Sequence, residues 1–171
     1  MLRLIFLTLL AAAAGCGGQT SSSAPTARDP AAPDTRDGHS HEKGKMLIAD
    51  FGPYHALLTA HLSKNGHELD VFVESAGAAP HPVALPVEVL AGSVQIRRTD
   101  GTVREVEFRS APADERPLGE AGGTCSHFVA KVPWLEPDTE HRVIVEVEVE
   151  GKKLTGRWNS FVPRKYAHHE D

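Results

Sequence analysis

The chain has little cysteine: two among 171 residues, Cys16 and Cys125. With Cys16 assigned to an anchor (below), Cys125 has no partner in its own chain, so no disulfide staples the fold and an apolar core must hold it. A positive excess is also missing. Lys and Arg number 18 against 23 Asp and Glu, a formal net charge of −5. No basic patch is interleaved with aromatics, which argues against a nucleic-acid partner. No Gly-x-Ser-x-Gly, His-Glu-x-x-His or glycine-rich phosphate loop occurs, and Gly119–Gly123 is acidic rather than a phosphate cradle. The expectation is therefore a protein that is not an enzyme. No segment has a sustained helical period of apolar residues, which points away from helical folds.

The N-terminus is the one strongly apolar stretch. Arg3 precedes Leu4-Ile-Phe-Leu-Thr-Leu-Leu-Ala-Ala-Ala-Ala-Gly-Cys16. A basic start, a compact apolar run and small residues make a secretory signal peptide, too short for a stable membrane-spanning anchor. Ala13-Ala14-Gly15-Cys16 resembles the lipobox of bacterial lipoproteins, with Ala13 where that motif usually has Leu. The resemblance implies cleavage before Cys16, lipidation of its thiol, and a membrane partner through the lipid. Loss of Met1–Gly15 removes one positive charge, Arg3, so the mature net charge changes from −5 to −6. Gly17 follows Cys16 where the inner-membrane retention signal of enteric-type bacteria has Asp. The expected location is the periplasmic face of a bacterial envelope, with the outer membrane favoured.

From residue 16 to 45 the chain is rich in Ser, Pro, Ala and Asp and poor in large apolar residues. It cannot offset the entropy of ordering and reads as a flexible tether. As a coil of ~29 residues it has an r.m.s. span of roughly 30 Å. Residues 46–165 then form short alternating runs broken by turn residues, about 125 residues with the flanking tail, enough for one domain. Tyr54–Leu62 and His67–Glu74 flank Asn65-Gly66 as a hairpin. Tyr54, Ala56, Leu58, Ala60 and Leu62 share one face, matched by Leu69, Val71 and Val73. The opposite face, with His55, Thr59, His61, Glu68, Asp70 and Glu74, has a solvent pattern. Further strands are expected at Val83–Leu90, Ser93–Arg98, Thr102–Arg109 and Ser126–Val132, with Ala111–Gly123 a long loop. His141–Val149 and Lys152–Val162 form a hairpin through Glu150-Gly151. That turn sets Val143 opposite Trp158, Val145 opposite Gly156 and Val147 opposite Leu154. The pattern predicts an all-β fold, a single antiparallel β-sandwich of immunoglobulin-like type, without the Cys…Trp…Cys signature. Residues 166–171 are a polar, His-rich tail.

Ten histidines are present. His39 and His41 sit at the end of the tether, and His168 and His169 beside Glu170 at the end of the chain. Both segments offer imidazole next to carboxylate, a composition that can gather a soft or borderline cation. Cys125 and His127 are two residues apart, so on one strand they share a face at roughly 6.6 Å, with Phe128 and Ala130 pointing inward. A thiolate and imidazole so placed suit Cu, Zn or Ni. His61 is expected opposite Glu68 or Asp70, a weaker His–carboxylate candidate. The metal candidates are therefore Cys125, His127, His39, His41, His168, His169, His61 and Asp70. Each also has a plain reading, as polar tail, surface hydrogen bond or buried small residue.

The His-rich segment, then Met46-Leu-Ile-Ala-Asp-Phe-Gly-Pro-Tyr-His55 and the polar-turn hairpin, resembles small bacterial lipoproteins of unassigned function. It is also similar to the N-terminal extension of periplasmic adaptor subunits of heavy-metal efflux pumps, over His39–Val73 and more loosely Ser126–Lys131. Those adaptors have His-Gly-Gly where this chain has His41-Glu-Lys-Gly-Lys45. The resemblance implies a stand-alone sandwich that meets metal ions or touches envelope or efflux proteins. Together these readings predict a lipid-anchored extracytoplasmic binding module, for a transition metal or metal homeostasis. The alternative is an envelope interaction or structural lipoprotein without metal.

Overall fold

The computed structural model describes residues 41–96 and 101–170. The expected signal peptide, Cys16 and His39 lie outside the described residues, as does Asp171. Ten strands make the domain: β1 (His41–Lys43), β2 (Met46–Phe51), β3 (Tyr54–Leu62), β4 (Glu68–Ser75), β5 (Val89–Ile96), β6 (Val103–Ser110), β7 (His127–Lys131), β8 (His141–Val149), β9 (Lys152–Phe161) and β10 (Ala167–Glu170). Short 3-10 turns span Ala113–Glu115 and Pro163–Tyr166. The described residues contain no α-helix, as the lack of helical periodicity predicted.

The strands form one ladder in the order β1-β2-β3-β4-β7-β6-β5-β8-β9, antiparallel throughout. β10 adds in parallel to the far end of β3, at Ala60–Leu62, where β2 no longer pairs. The sheet is all-β, antiparallel and nearly barrel-shaped. The sequence leads to two stacked sheets; the hydrogen-bond ladder instead follows one continuous path. Its two ends approach each other. The Trp158 indole N–H on β9 donates to the Leu47 carbonyl on β2 at 2.7 Å. Gly52, in the tight turn from β2 to β3, has a φ of +65° and sits against the Leu154 side chain of β9.

The core follows the expected parity. Ala56, Leu58, Ala60 and Leu62 of β3 face Leu69, Val71 and Val73 of β4 inside the sheet, and Phe128 and Ala130 of β7 join them. The β8–β9 hairpin has the predicted register, Val143 opposite Trp158, Val145 opposite Gly156 and Val147 opposite Leu154. Glu150 and Gly151 both have positive φ, the geometry of a two-residue turn whose twist matches the strands. A register shift between His141 and Val143 lets Trp158 and Phe161 both point inward although they are three positions apart, an odd spacing that would otherwise put them on opposite faces.

Three expectations change. Val83–Leu90 is not a continuous strand: Leu85 makes an isolated bridge with Cys125, Pro82 just before the stretch bridges Glu74, and only Val89 and Leu90 lie in a strand, as the start of β5. The expected break at Ala91-Gly92 is instead the middle of β5. Gly92 is there because the Phe108 ring fills the space its side chain would occupy, with a Cβ only 2.6 Å from the ring. The sheet also extends beyond residues 46–165, since β1 and β10 use parts of the expected tether and tail.

Candidate functional site

The paired placement of Cys125 and His127 is corrected. Cys125 is fully buried in the core and bridges Leu85, and its thiol donates to the His127 carbonyl at 2.7 Å. The His127 imidazole points to the outer face. Two-residue alternation holds only along a strand, and β7 begins at His127; the bend at Ser126 breaks the parity. The thiol and imidazole therefore lie on opposite sides of the sheet.

His127 instead meets Asp70. In register, Thr59 lies opposite Asp70, and Phe72 opposite His127. From the outer face, His127 Nε2 lies 2.9 Å from Asp70 Oδ1, with both side chains less than a tenth exposed. His127 Nδ1 lies 3.2 Å from the Glu115 carbonyl. Both neighbours are acceptors, so the ring satisfies both contacts only with a proton on each nitrogen, as imidazolium. Burial is the largest influence and opposes that charge. The hydrogen bond and charge of Asp70, with the carbonyl and carboxylate of Glu115, outweigh it, and the His127 pKa is raised above the ordinary histidine value. The ring stacks on Phe72, with centroids 4.1 Å apart and planes 18° apart. Asp70 Oδ2 is buried with no hydrogen-bond partner among the described residues.

This buried pair fixes a piece of the loop. The 3-10 turn Ala113–Glu115 is closed by the Glu115 N–H to the Pro112 carbonyl at 3.0 Å, and the Arg116 side chain donates to the Ala111 carbonyl. Ala111 N–H in turn donates to the His127 carbonyl at 2.9 Å. Further on, the Glu120 carboxylate accepts from the Ser126 backbone and hydroxyl. The segment lies over the outer face, and Glu115 borders a cleft on each side. One cleft, of about 570 Å³, is lined by charged groups: Glu68, Glu107, Arg109, Glu115 and Lys131, with Val129 beneath. The other, also about 570 Å³, is more apolar and has Leu57, Phe72 and Pro82 facing Asp114, Glu115 and Arg116.

The remaining candidates do not join this site. His61 lies opposite Glu68, one of the two expected partners, and its ring centroid is 5.7 Å from that of His168. His168 Nδ1 is 3.3 Å from the Thr59 hydroxyl, which also donates to the Tyr166 carbonyl. The side chains of His41 and His169 lie outside the described residues. His141 is a core histidine: fully buried, its Nε2 lies 2.9 Å from the Glu136 carbonyl, and burial pushes its pKa down. Among the described residues no three His, Cys, Asp or Glu side chains converge as a metal site.

Sequence reasoning missed Leu57, Phe72 and Glu115. The signal existed for the first two. They are large apolar residues at polar-face positions of adjacent strands, directly opposite each other. Two such residues on a face with a solvent pattern mean that something covers that face. Glu115 carries no signal of this kind, because only the fold brings the loop over β7. Comparisons with protein-family models, with curated proteins and with solved structures find no match for this chain.

Proposed function

We propose that this protein is a lipid-anchored, extracytoplasmic binding module of the bacterial envelope, held at the membrane through Cys16 and without enzymatic activity. The observation that carries the binding role is the roofed outer face of β3, β4 and β7. There a buried His127–Asp70 pair fixes the 111–117 segment between two clefts large enough for a ligand. The His127 ring has both nitrogens engaged and is buried, so its role is to hold the site rather than to act on a substrate. The clefts are the surfaces that a ligand reaches.

The anchor is tested by fractionation and mass spectrometry. The mature protein begins at Cys16 with two or more acyl chains, which anchor stably where one chain anchors marginally. Cys16→Ser releases it into the soluble envelope fraction. An unmodified Cys16 in the native protein sinks this reading.

A second reading, transition-metal binding, is favoured by one observation, the approach of His61 and His168 beside Thr59. Two imidazoles suit Cu, Zn or Ni but need further ligands from a flexible or added group. Isothermal titration of the full chain with each ion decides it. Saturable binding tighter than about 100 μM, roughly −5.5 kcal/mol, that His168→Ala removes supports this reading. Absence of such binding leaves the module without a metal.

A further inference from the structure

Leu57 and Phe72 stand out because their parity is wrong for a solvated sheet exterior. They lie directly opposite each other on β3 and β4, on the face that carries Thr59, Asp70 and His127. Leu57 is buried and Phe72 partly so. Together with Pro82 they form the apolar floor of the second cleft. The floor is stiff, because Phe72 is stacked on His127, which is itself held by Asp70. The facing wall is stiff as well, because the His127 ring and the Pro112 carbonyl hold Glu115. A site rigid before binding loses little entropy when it is filled.

Its charge is one-sided. Asp114 and Glu115 border the cleft, and among the described residues lining it the one cation is Arg116, whose Nε is turned to the Ala111 carbonyl. Asp114, Glu115 and Pro117 are exposed on the turn, so they meet a ligand lying across the cleft from outside. The charged cleft beyond Glu115 is different, since Arg109 and Lys131 there stand among its carboxylates and it lacks a comparable apolar floor.

We propose that this groove docks a segment of a partner protein in which an apolar or aromatic side chain is flanked by Lys or Arg. The apolar side chain would sit over Leu57 and Phe72, and its basic neighbours would face Asp114 and Glu115. The proposal rests on the binding-module reading and names what that module recognises. Complementary charge of this kind selects the partner and speeds encounter, and it weakens with salt.

Two fluorescein-labelled peptides test it, with bodies acetyl-Arg-Phe-Leu-Arg-amide and acetyl-Glu-Phe-Leu-Glu-amide, titrated with the purified full chain and followed by anisotropy. The basic peptide binds saturably, and the acidic one at least about tenfold more weakly. Neutralising the exposed rim with Asp114→Asn and Glu115→Gln weakens the basic peptide about tenfold and removes most of its salt dependence. Phe72→Ala weakens it further, with circular dichroism confirming that the sheet persists. The rim variants keep the test decisive if Phe72→Ala unfolds, because their positions are exposed. Equal affinity for both peptides, or no effect of the rim variants, overturns the charge selection and leaves the module itself standing. Absence of saturation by either peptide below 1 mM, about −4 kcal/mol, overturns the groove, while the anchor and metal measurements remain independent of it.

Discussion

Asp70→Asn is the sharpest test of the buried pair. The substitution keeps shape and volume and removes one charge. Its partner, the His127 imidazole, sits 2.9 Å away with both side chains less than a tenth exposed. Removing one member of a buried, hydrogen-bonded ion pair leaves the other charge uncompensated, at a cost of about 3–5 kcal/mol. Much of a small domain's stability is of that size. The cost depends on pH in a definite direction. The folded state raises the His127 pKa, so between the unfolded and folded values it binds more protons than the unfolded chain. The stabilisation is fully present below the ordinary histidine value of 6.5 and is lost as pH rises through the raised folded value. Urea unfolding across this range should show wild-type stability declining on the alkaline side, with Asp70→Asn flattening that decline. Hydrogen exchange gives a second readout: the Glu115 turn loosens over the same pH range, because His127 loses the proton it directs at the Glu115 carbonyl. A loss below about 1 kcal/mol in Asp70→Asn at mildly acid pH, or an unchanged pH profile, would refute this account of the pair.

Three further outcomes are expected. His141 behaves oppositely to His127: its folded pKa is lowered, so its contribution is present above the ordinary histidine value and is lost as pH falls through the folded one. His141→Gln should therefore blunt the acid limb of the urea profile, whatever it costs at neutral pH. Trp158→Ala removes a fully buried indole and its bond to the Leu47 carbonyl between β9 and β2, and should cost about 3–5 kcal/mol by chemical denaturation. Gly92→Ala places a methyl group 2.6 Å from the Phe108 ring and should destabilise by about 1–3 kcal/mol; a neutral result would mean that the ring moves aside freely.

The strand pairs joined by short turns were legible in the sequence. Alternation from Tyr54 to Leu62 and from Leu69 to Val73 assigned the inner face, and Glu150-Gly151 set the β8–β9 register residue by residue. Both are local, because period-two alternation and a two-residue turn leave few other arrangements. The path of the ladder was not legible, since β4 pairs with β7 and β5 with β8 across long connections that carry no pairing signal. Gly92 read as a break because its reason, the Phe108 ring, comes from another strand.

The candidate site divides in the same way. His127 and Asp70 were both visible as polar, outward residues, but their sequence separation hid the pairing, and Cys125 was an attractive false neighbour. The Ser126 bend sends the thiol into the core and the imidazole outward, and a bend of that kind is set by tertiary contacts, here the Glu120 carboxylate on the Ser126 backbone and hydroxyl. The sequence alone determined the lipobox-like Cys16, the acidic balance, the β-class and the inner face. Only the tertiary structure decided that the 111–117 segment lies over β4 and β7. Its anchor is a hydrogen bond from a buried ring to a backbone carbonyl, and a carbonyl is the same at every residue, so no side-chain pattern announces it.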